Sequence, residues 1–221
     1  EYQPTILQAT PSWWQYAMSS IPDNSQQLRI LVGGEVLSYQ LKERLLKKTL
    51  SVWNVYGPTE ATIWSTAHLC VPGEPVLIGG AVTGASVYIL DNNKETCPVG
   101  VAGEIYIQGR GLAQCYLNQE GLTDAHFINY APDEELNSAA GFRIYKKGDR
   151  GRWLQSGDIE YLGRKDTQVK FRGYRVELGE VEQALLDYPD VTQAVVIVDV
   201  VEDKQQMRAY VTLSIADNIF D

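Results

Sequence analysis

Two histidines, three cysteines and two methionines in 221 residues leave little soft-ligand or redox chemistry to draw on. Cys70, Cys97 and Cys115 are odd in number and widely spaced, and His68 and His126 complete no zinc-type spacing with them. Free thiols in a reducing cytoplasm are the expectation. Long apolar runs are also lacking: none approaches the roughly 20 residues that a membrane-spanning helix needs. The opening Glu1-Tyr2-Gln3-Pro4 shows neither a basic stretch nor an apolar one of the signal-peptide kind. Positive charge is in deficit. Nineteen Lys and Arg face 28 Asp and Glu, and a net charge of −9 argues against a nucleic acid as the main partner. Internal repeats and low-complexity stretches are absent as well.

What remains is ordinary soluble-domain composition, 44% hydrophobic and 21% charged, in a chain long enough for more than one domain. Thr5 to Ala9 reads as a strand. A helix follows, with Ser12 as its cap and Trp13, Tyr16 and Ala17 sharing a face. Leu28 to Val32 is a buried-strand run closed by Gly33-Gly34. Ser38 then caps a helix with Leu41, Leu45 and Leu46 inside and a Glu43–Lys47 pair outside. This alternation predicts an α/β fold with a partly parallel sheet. Val76 to Ile78, Ser86 to Leu90 and Glu104 to Gln108 predict a β-rich section, with turns at Asp91–Lys94 and Gln155–Asp158. Beyond Asp166, a hairpin about Arg172-Gly173, a helix from Glu177 to Asp187 and two strands predict a small α+β domain. Leu178, Val181 and Leu185 are core positions of that helix. The expected division is residues 1–166 and 167–221.

Asn54-Val55-Tyr56-Gly57-Pro58-Thr59-Glu60 is the chemically richest stretch. It offers an amide for a base edge, a ring for its face, a hydroxyl for a phosphate and a carboxylate for Mg²⁺. Taken alone, Gly57-Pro58 is only a turn.

Four blocks change that reading: Asn54 to Glu60; Gly103 to Ala113, GEIYIQGRGLA; Tyr145 to Trp153, YKKGDRGRW; and Gly163 to Glu182, GRKDTQVKFRGYRVELGEVE. In content and order they resemble the adenylation domains of nonribosomal peptide synthetases, within the acyl-adenylate-forming superfamily. The resemblance covers most of the chain. It implies the C-terminal part of the large adenylation core, a mixed sheet plus a β-rich subdomain, followed by the start of the small mobile subdomain. The implied reaction is attack of an amino acid carboxylate on the α-phosphorus of ATP, giving aminoacyl-AMP and pyrophosphate, then transfer to a carrier-bound thiol.

Carried over by position, Asn54 meets the adenine amino group, Tyr56 its ring and Tyr161 its other face. Gly57 belongs to the same turn, Thr59 contacts phosphate and Glu60 helps hold Mg²⁺. Asp149 accepts from both ribose hydroxyls, Arg164 and Lys170 serve the ribose and phosphate region, and Asp166 is the hinge. Gln8, Leu31, Gly33, Val55, Ile63 and Trp64 match the substrate pocket, in the pattern of glycine-activating domains, with alanine second. A Trp and a Gln filling the pocket would exclude a bulky side chain. Implied cofactors are ATP, Mg²⁺ and a 4′-phosphopantetheine on a partner carrier domain. Implied partners are that peptidyl carrier, the rest of the synthetase with its N-terminal core and condensation domain, and an MbtH-like protein. Neither a nucleic acid nor a membrane is implied.

Plainer readings stand beside these. Asp149 is otherwise a turn residue, Glu60 a helix-start carboxylate, Arg164 and Lys170 solvated charges, and Trp64 core. Lys147 stands where the family usually has threonine and Cys115 where it usually has glycine. The phosphate loop with its lysine, the aspartate for the α-amino group and the C-terminal lysine are not in these residues, so the polypeptide alone is expected to be inactive or nearly so. The rivals are an acyl-CoA or aryl-acid ligase and a non-catalytic nucleotide-binding or docking piece. An inserted tailoring domain beyond Leu213 is left open.

Overall fold

The computed structural model describes residues 4–22, 25–131, 141–164, 168–171, 174–201 and 204–214. Two compact units divide the chain, Glu1–Lys165 and Asp166–Asp221.

In the first unit the strand–helix alternation builds a sheet by parallel pairing. β1 (Ile6–Ala9) lies beside β2 (Ser25–Gly33), and β2 beside β3 (Thr49–Tyr56), both pairs parallel. α1 (Pro11–Ala17) and α2 (Tyr39–Lys48) are the connecting helices. β4 (Thr66–Leu69) and β5 (Gly80–Ala81) extend the sheet antiparallel, so its order is β1-β2-β3-β4-β5. Ile30, Val32 and Val52 from the strands pack with Trp14, Leu41 and Leu45 from the helices in one core.

Three local expectations are corrected. Thr10, not Ser12, caps α1, because Pro11 is pre-set for the first helical position; Ser12 instead donates through its N–H and hydroxyl to Glu35 Oε2. The inward face of α1 carries Pro11 and Trp14, whereas Trp13 and Tyr16 are exposed. In α2, Ser38 caps through Leu41 N–H as expected, but Glu43 takes Lys42 at 2.9 Å and the Gly73 N–H rather than Lys47. Lys42 is itself fully buried because Val71 and Glu74 carbonyls accept from its ammonium.

A second, antiparallel sheet follows, formed by β6 (Ala85–Leu90), β7 (Gly103–Gly109), β8 (Phe127–Tyr130), β9 (Phe142–Trp153) and β10 (Ile159–Arg164). Its order is β10-β9-β7-β6, with β8 also on β9. The short helix α3 (Glu120–His126) leads into β8. Val76 to Ile78 is not a strand: Ile78 and Gly79 pair only singly with Ile159. At the β6 end, Asp91 Oδ1 accepts from the N–H groups of Asn93 and Glu95, which closes the expected turn.

The second unit holds the hairpin β11 (Gln168–Phe171) and β12 (Tyr174–Glu177), the helix α4 (Leu178–Leu186), and the antiparallel pair β13 (Val191–Val201) and β14 (Lys204–Leu213). Leu178 is buried and Val181 and Leu185 half-buried, while Glu182 Oε1 accepts from the Val196 N–H at 2.8 Å. Among the described residues no helix is long and apolar enough to cross a membrane.

Candidate functional site

The carboxyl ends of β1, β2 and β3 lie side by side, with Gln8 opposite Leu31 and Gly33 opposite Val55. In an open sheet of parallel strands this edge is where ligands bind. β3 ends at Tyr56 and the chain then turns through Gly57-Pro58 and a 3₁₀ turn, Thr59–Ala61. Thr62 and Ile63 follow at φ 57° and 72°, two successive non-glycine residues in the left-handed region. Such strain persists only where the surroundings over-determine it. Here Ser65 N–H bonds back to Tyr56 O at 2.8 Å, Thr62 Oγ1 donates to Gly111 O at 2.6 Å, and Ala113 N–H reaches Glu60 O at 2.7 Å. Gly57 passes so close to the Ile63 carbonyl and the Ser65 N–H that no Cβ fits.

Asp149 is the most heavily committed carboxylate, at 1% exposure. Oδ2 accepts from Tyr56 Oη at 2.5 Å and lies 3.1 Å from Lys147 Nζ; Oδ1 accepts from Arg164 Nη1 at 3.1 Å and Tyr161 Oη at 3.4 Å. Two β-bulges assemble this cluster. The β7–β9 register jumps from Glu104↔Arg150 to Tyr106↔Lys146, and the β9–β10 register shifts between Tyr161 and Arg164. Gly148 at φ 86° and Gly163 at φ 92° sit within them. A bulge re-aims the side chains around it and favours glycine in the left-handed region. Burial, then the Asp149 charge, hold the Tyr56 phenol well above the ordinary tyrosine range, so it stays a donor. The Tyr161 ring lies 6.0 Å from that of Tyr56.

Glu60 is buried behind the turn. Its Oε1 accepts from Tyr116 Oη at 2.6 Å, and Tyr116 Oη lies 3.2 Å from Tyr145 Oη. The Tyr145 phenol is pushed far up, by burial first and then by Tyr116 and Glu60. His126 stacks on Tyr145 and meets Tyr116 edge-on. Arg143 holds this loop by donating to the carbonyls of Ala113 and Gln114 while lying over the Phe127 ring. Thr59 is exposed and adjacent. Asn54 is buried, its amide nitrogen donating to Leu77 O at 2.7 Å.

A third cluster closes on the strand ends. Trp64 Nε1 donates to Gln8 Oε1 at 3.3 Å, and the Trp64 ring lies where a Cβ on Gly33 would fall, about on Cη2 at 2.5 Å. The Val55 carbonyl blocks the same position. Gln8, Gly33, Val55 and Trp64 thus come together, with half-buried Leu31 on the same strand face. Ile63 is 58% exposed and is not part of this contact.

The sequence reading named Asn54, Tyr56, Asp149, Tyr161 and Arg164 and missed the ion pair of Lys147 with Asp149 and the tyrosines around Glu60. The signal for two of these was period-two spacing: Tyr145, Lys147 and Asp149 are all buried on β9. Asp166 and the side chain of Lys170 lie outside the described residues. No group of three or more His, Cys, Asp or Glu that could hold a metal occurs among the described residues.

A mixed sheet with this strand-end site, followed by a bulged antiparallel sheet, is a fragment of the adenylate-forming fold. Residues 1–117 match the family of AMP-binding enzymes, and the chain belongs to that family. It is 42% identical over 220 residues to a dimodular nonribosomal peptide synthase of Bacillus subtilis (strain 168), covering 98% of this chain and 9% of that protein. Among solved structures, a holo nonribosomal peptide synthetase protein containing adenylation and PCP domains, bound to a vinylsulfonamide inhibitor, superposes with a TM-score of 0.84 at 30% identity, over 95% of this chain and 37% of that one. A holo four-domain nonribosomal peptide synthetase bound to AMP and glycine gives a TM-score of 0.67 at 38% identity, over 97% of this chain and 16% of that one. The chain therefore spans a small part of the relatives it matches.

Proposed function

We propose that this chain carries the adenine, ribose and side-chain-selecting part of an adenylation domain that activates glycine, and alanine second. In the proposed reaction a glycine carboxylate oxygen bonds to the α-phosphorus of ATP and pyrophosphate leaves, giving glycyl-AMP for a carrier-domain thiol. The observation that carries the reading is the Asp149 cluster: two bulges deliver a buried carboxylate and an arginine to the tyrosine that ends a parallel strand.

In this reading Asn54 accepts the adenine amino group through Oδ1, since its nitrogen serves Leu77. Tyr56 and Tyr161 flank the base, and Asp149 takes the ribose hydroxyls in exchange for the phenols it now binds. Thr59, Gly57 and Arg164 serve the phosphates, and Lys170 and the hinge Asp166 complete the set. The single carboxylate of Glu60 suits Mg²⁺, which is commonly bound by one or two carboxylates plus substrate phosphates. When bound, the ion neutralises charge on those phosphates. Residues 1–166 form the end of the large core and 167–221 the start of a mobile subdomain that swings between steps. The carrier domain, its phosphopantetheine, the remaining synthetase and an MbtH-like protein are the proposed partners, in the cytoplasm.

Glycine is favoured because the Trp64 indole, held by Gln8, lies against Gly33 where a substrate side chain would need room. That one solved relative is bound to AMP and glycine supports the same choice. The test is titration of the intact module with MgATP and hydroxylamine trapping of the aminoacyl-AMP across the amino acids. Trapped glycyl hydroxamate is expected. Trapping only with a fatty or aryl acid, or no nucleotide binding, would overturn the reading.

A further inference from the structure

We propose that Lys147 is a ribose-reading residue, which donates to the oxygen of the nucleotide hydroxyl whose O–H donates to Asp149. This rests on the reading of Asp149 as the ribose acceptor and adds to it the lysine that stands where the motif usually has threonine.

The Lys147 side chain is 6% exposed and its ammonium lies 3.1 Å from Asp149 Oδ2. It also lies 5.1 Å from the centre of the Tyr56 ring. A buried lysine is held only where its charge is compensated. Here the compensation comes from the carboxylate that the nucleotide would engage and the ring on which the base would lie. Lys147 and Asp149 flank Gly148 inside the β7–β9 bulge, so one local distortion aims both side chains.

The chemistry of a hydroxyl explains what such a pair can do. A hydroxyl donates one proton and accepts on two lone pairs. A carboxylate alone satisfies only the proton. An ammonium has three N–H donors, and Lys147 Nζ lies 3.1 Å from Asp149 Oδ2 and faces the Tyr56 ring, which leaves donor capacity beside the carboxylate. A ribose hydroxyl that enters at Oδ2 displaces the Tyr56 phenol, donates a hydrogen bond to Asp149 and accepts one from Lys147. The deoxy analogue at that carbon makes neither of these two bonds, while Asp149 keeps Arg164 and Tyr161 and Lys147 keeps Asp149 and the Tyr56 ring. A site built to hydrogen-bond a hydroxyl rejects the analogue that lacks it.

The experiment measures Kd of ATP, 2′-deoxyATP and 3′-deoxyATP, each with Mg²⁺, on the intact module and on Lys147→Met and Lys147→Arg. The unchanged module should bind ATP at least about tenfold tighter than one of the deoxy analogues, as expected for a charge-assisted hydrogen bond. Lys147→Met should weaken ATP by about tenfold and leave that analogue nearly unchanged, so that the ratio collapses. Lys147→Arg should keep most of the ratio, and Lys147→Gln replaces Lys147→Met if the latter does not fold. An equal loss for all three nucleotides would show a lysine that only supports Asp149, and would overturn the proposal. If the unchanged module binds ATP and both deoxy analogues alike, the ribose reading of Asp149 fails, and the proposal with it. Absence of all nucleotide binding would strike the proposed function itself.

Discussion

Tyr56 and Asp149, 93 residues apart in the chain, are joined by a hydrogen bond of 2.5 Å from the phenol to the carboxylate. The bond ties the end of the parallel sheet to the bulge of the antiparallel one. Burial, the Asp149 charge and then this bond raise the phenol well above the ordinary tyrosine range, and the bond occupies one carboxylate oxygen.

Removing the phenol in Tyr56→Phe leaves Asp149 buried with Lys147, Arg164 and Tyr161. The loss of a hydrogen bond to a charged group should cost about 1.5–3 kcal/mol. Urea denaturation followed by tryptophan fluorescence measures it. A change below a few tenths would mean that the other partners carry Asp149 by themselves.

Gly33→Ala should be poorly tolerated. The added methyl meets the Trp64 ring and the Val55 carbonyl, and overpacking of this kind costs about 1–3 kcal/mol. The same denaturation curve reports it, and Gly73→Ala is no matched control because Gly73 needs φ 79°. Gly179, with open space around its Cβ position and an ordinary φ, serves instead.

Trp64→Ala removes the indole that lies against Gly33 and releases Gln8. In the proposed pocket this should raise the kcat/KM of the module for alanine relative to glycine by about tenfold or more, the scale of one methyl-sized discrimination. A uniform drop for both amino acids would place Trp64 in the core and outside selection.

Alkaline pH should weaken the fold in a defined window. Burial raises the Cys70 thiol from 9.0 to about 11, and burial, with Glu104, raises the Tyr106 phenol from 10.0 to about 12. Below pH 9 both folded and unfolded states keep these protons, so the contribution is complete. Above it the unfolded chain releases protons that the folded chain retains, and stability falls as pH rises, first between about 9 and 11 and then to about 12. Denaturation midpoints from pH 8 to 11 check the direction, and Cys70→Ala should flatten the first part of the fall.

The α/β alternation was legible because β1, β2 and β3 are apolar runs set between glycine and polar turns. The strand at Thr66–Leu69 and the α3–β8 segment were not. Thr66-Ala67-His68-Leu69 has no distinctive alternation, and α3 buries no residue, so it leaves no apolar stripe to find. In α1, aromatics at 13, 14 and 16 admit two faces, and packing against β2 chose Trp14, whose indole N–H reaches Leu31 O. At the site, the motifs single out Tyr56, Asp149 and Arg164, and the structure brings these three together. The bulge geometry is a property of strand register that no motif carries: period-two spacing puts Lys147 on the buried face of β9 but does not make Asp149 its partner.

The most direct measurement is amino acid-dependent ATP–pyrophosphate exchange by the intact module, with and without Asp149→Asn. The account predicts exchange strongest with glycine, weaker with alanine, and reduced by at least about tenfold when Asp149 loses its charge. Exchange driven by a fatty or aryl acid and not by glycine, or unaffected by Asp149→Asn, would contradict it.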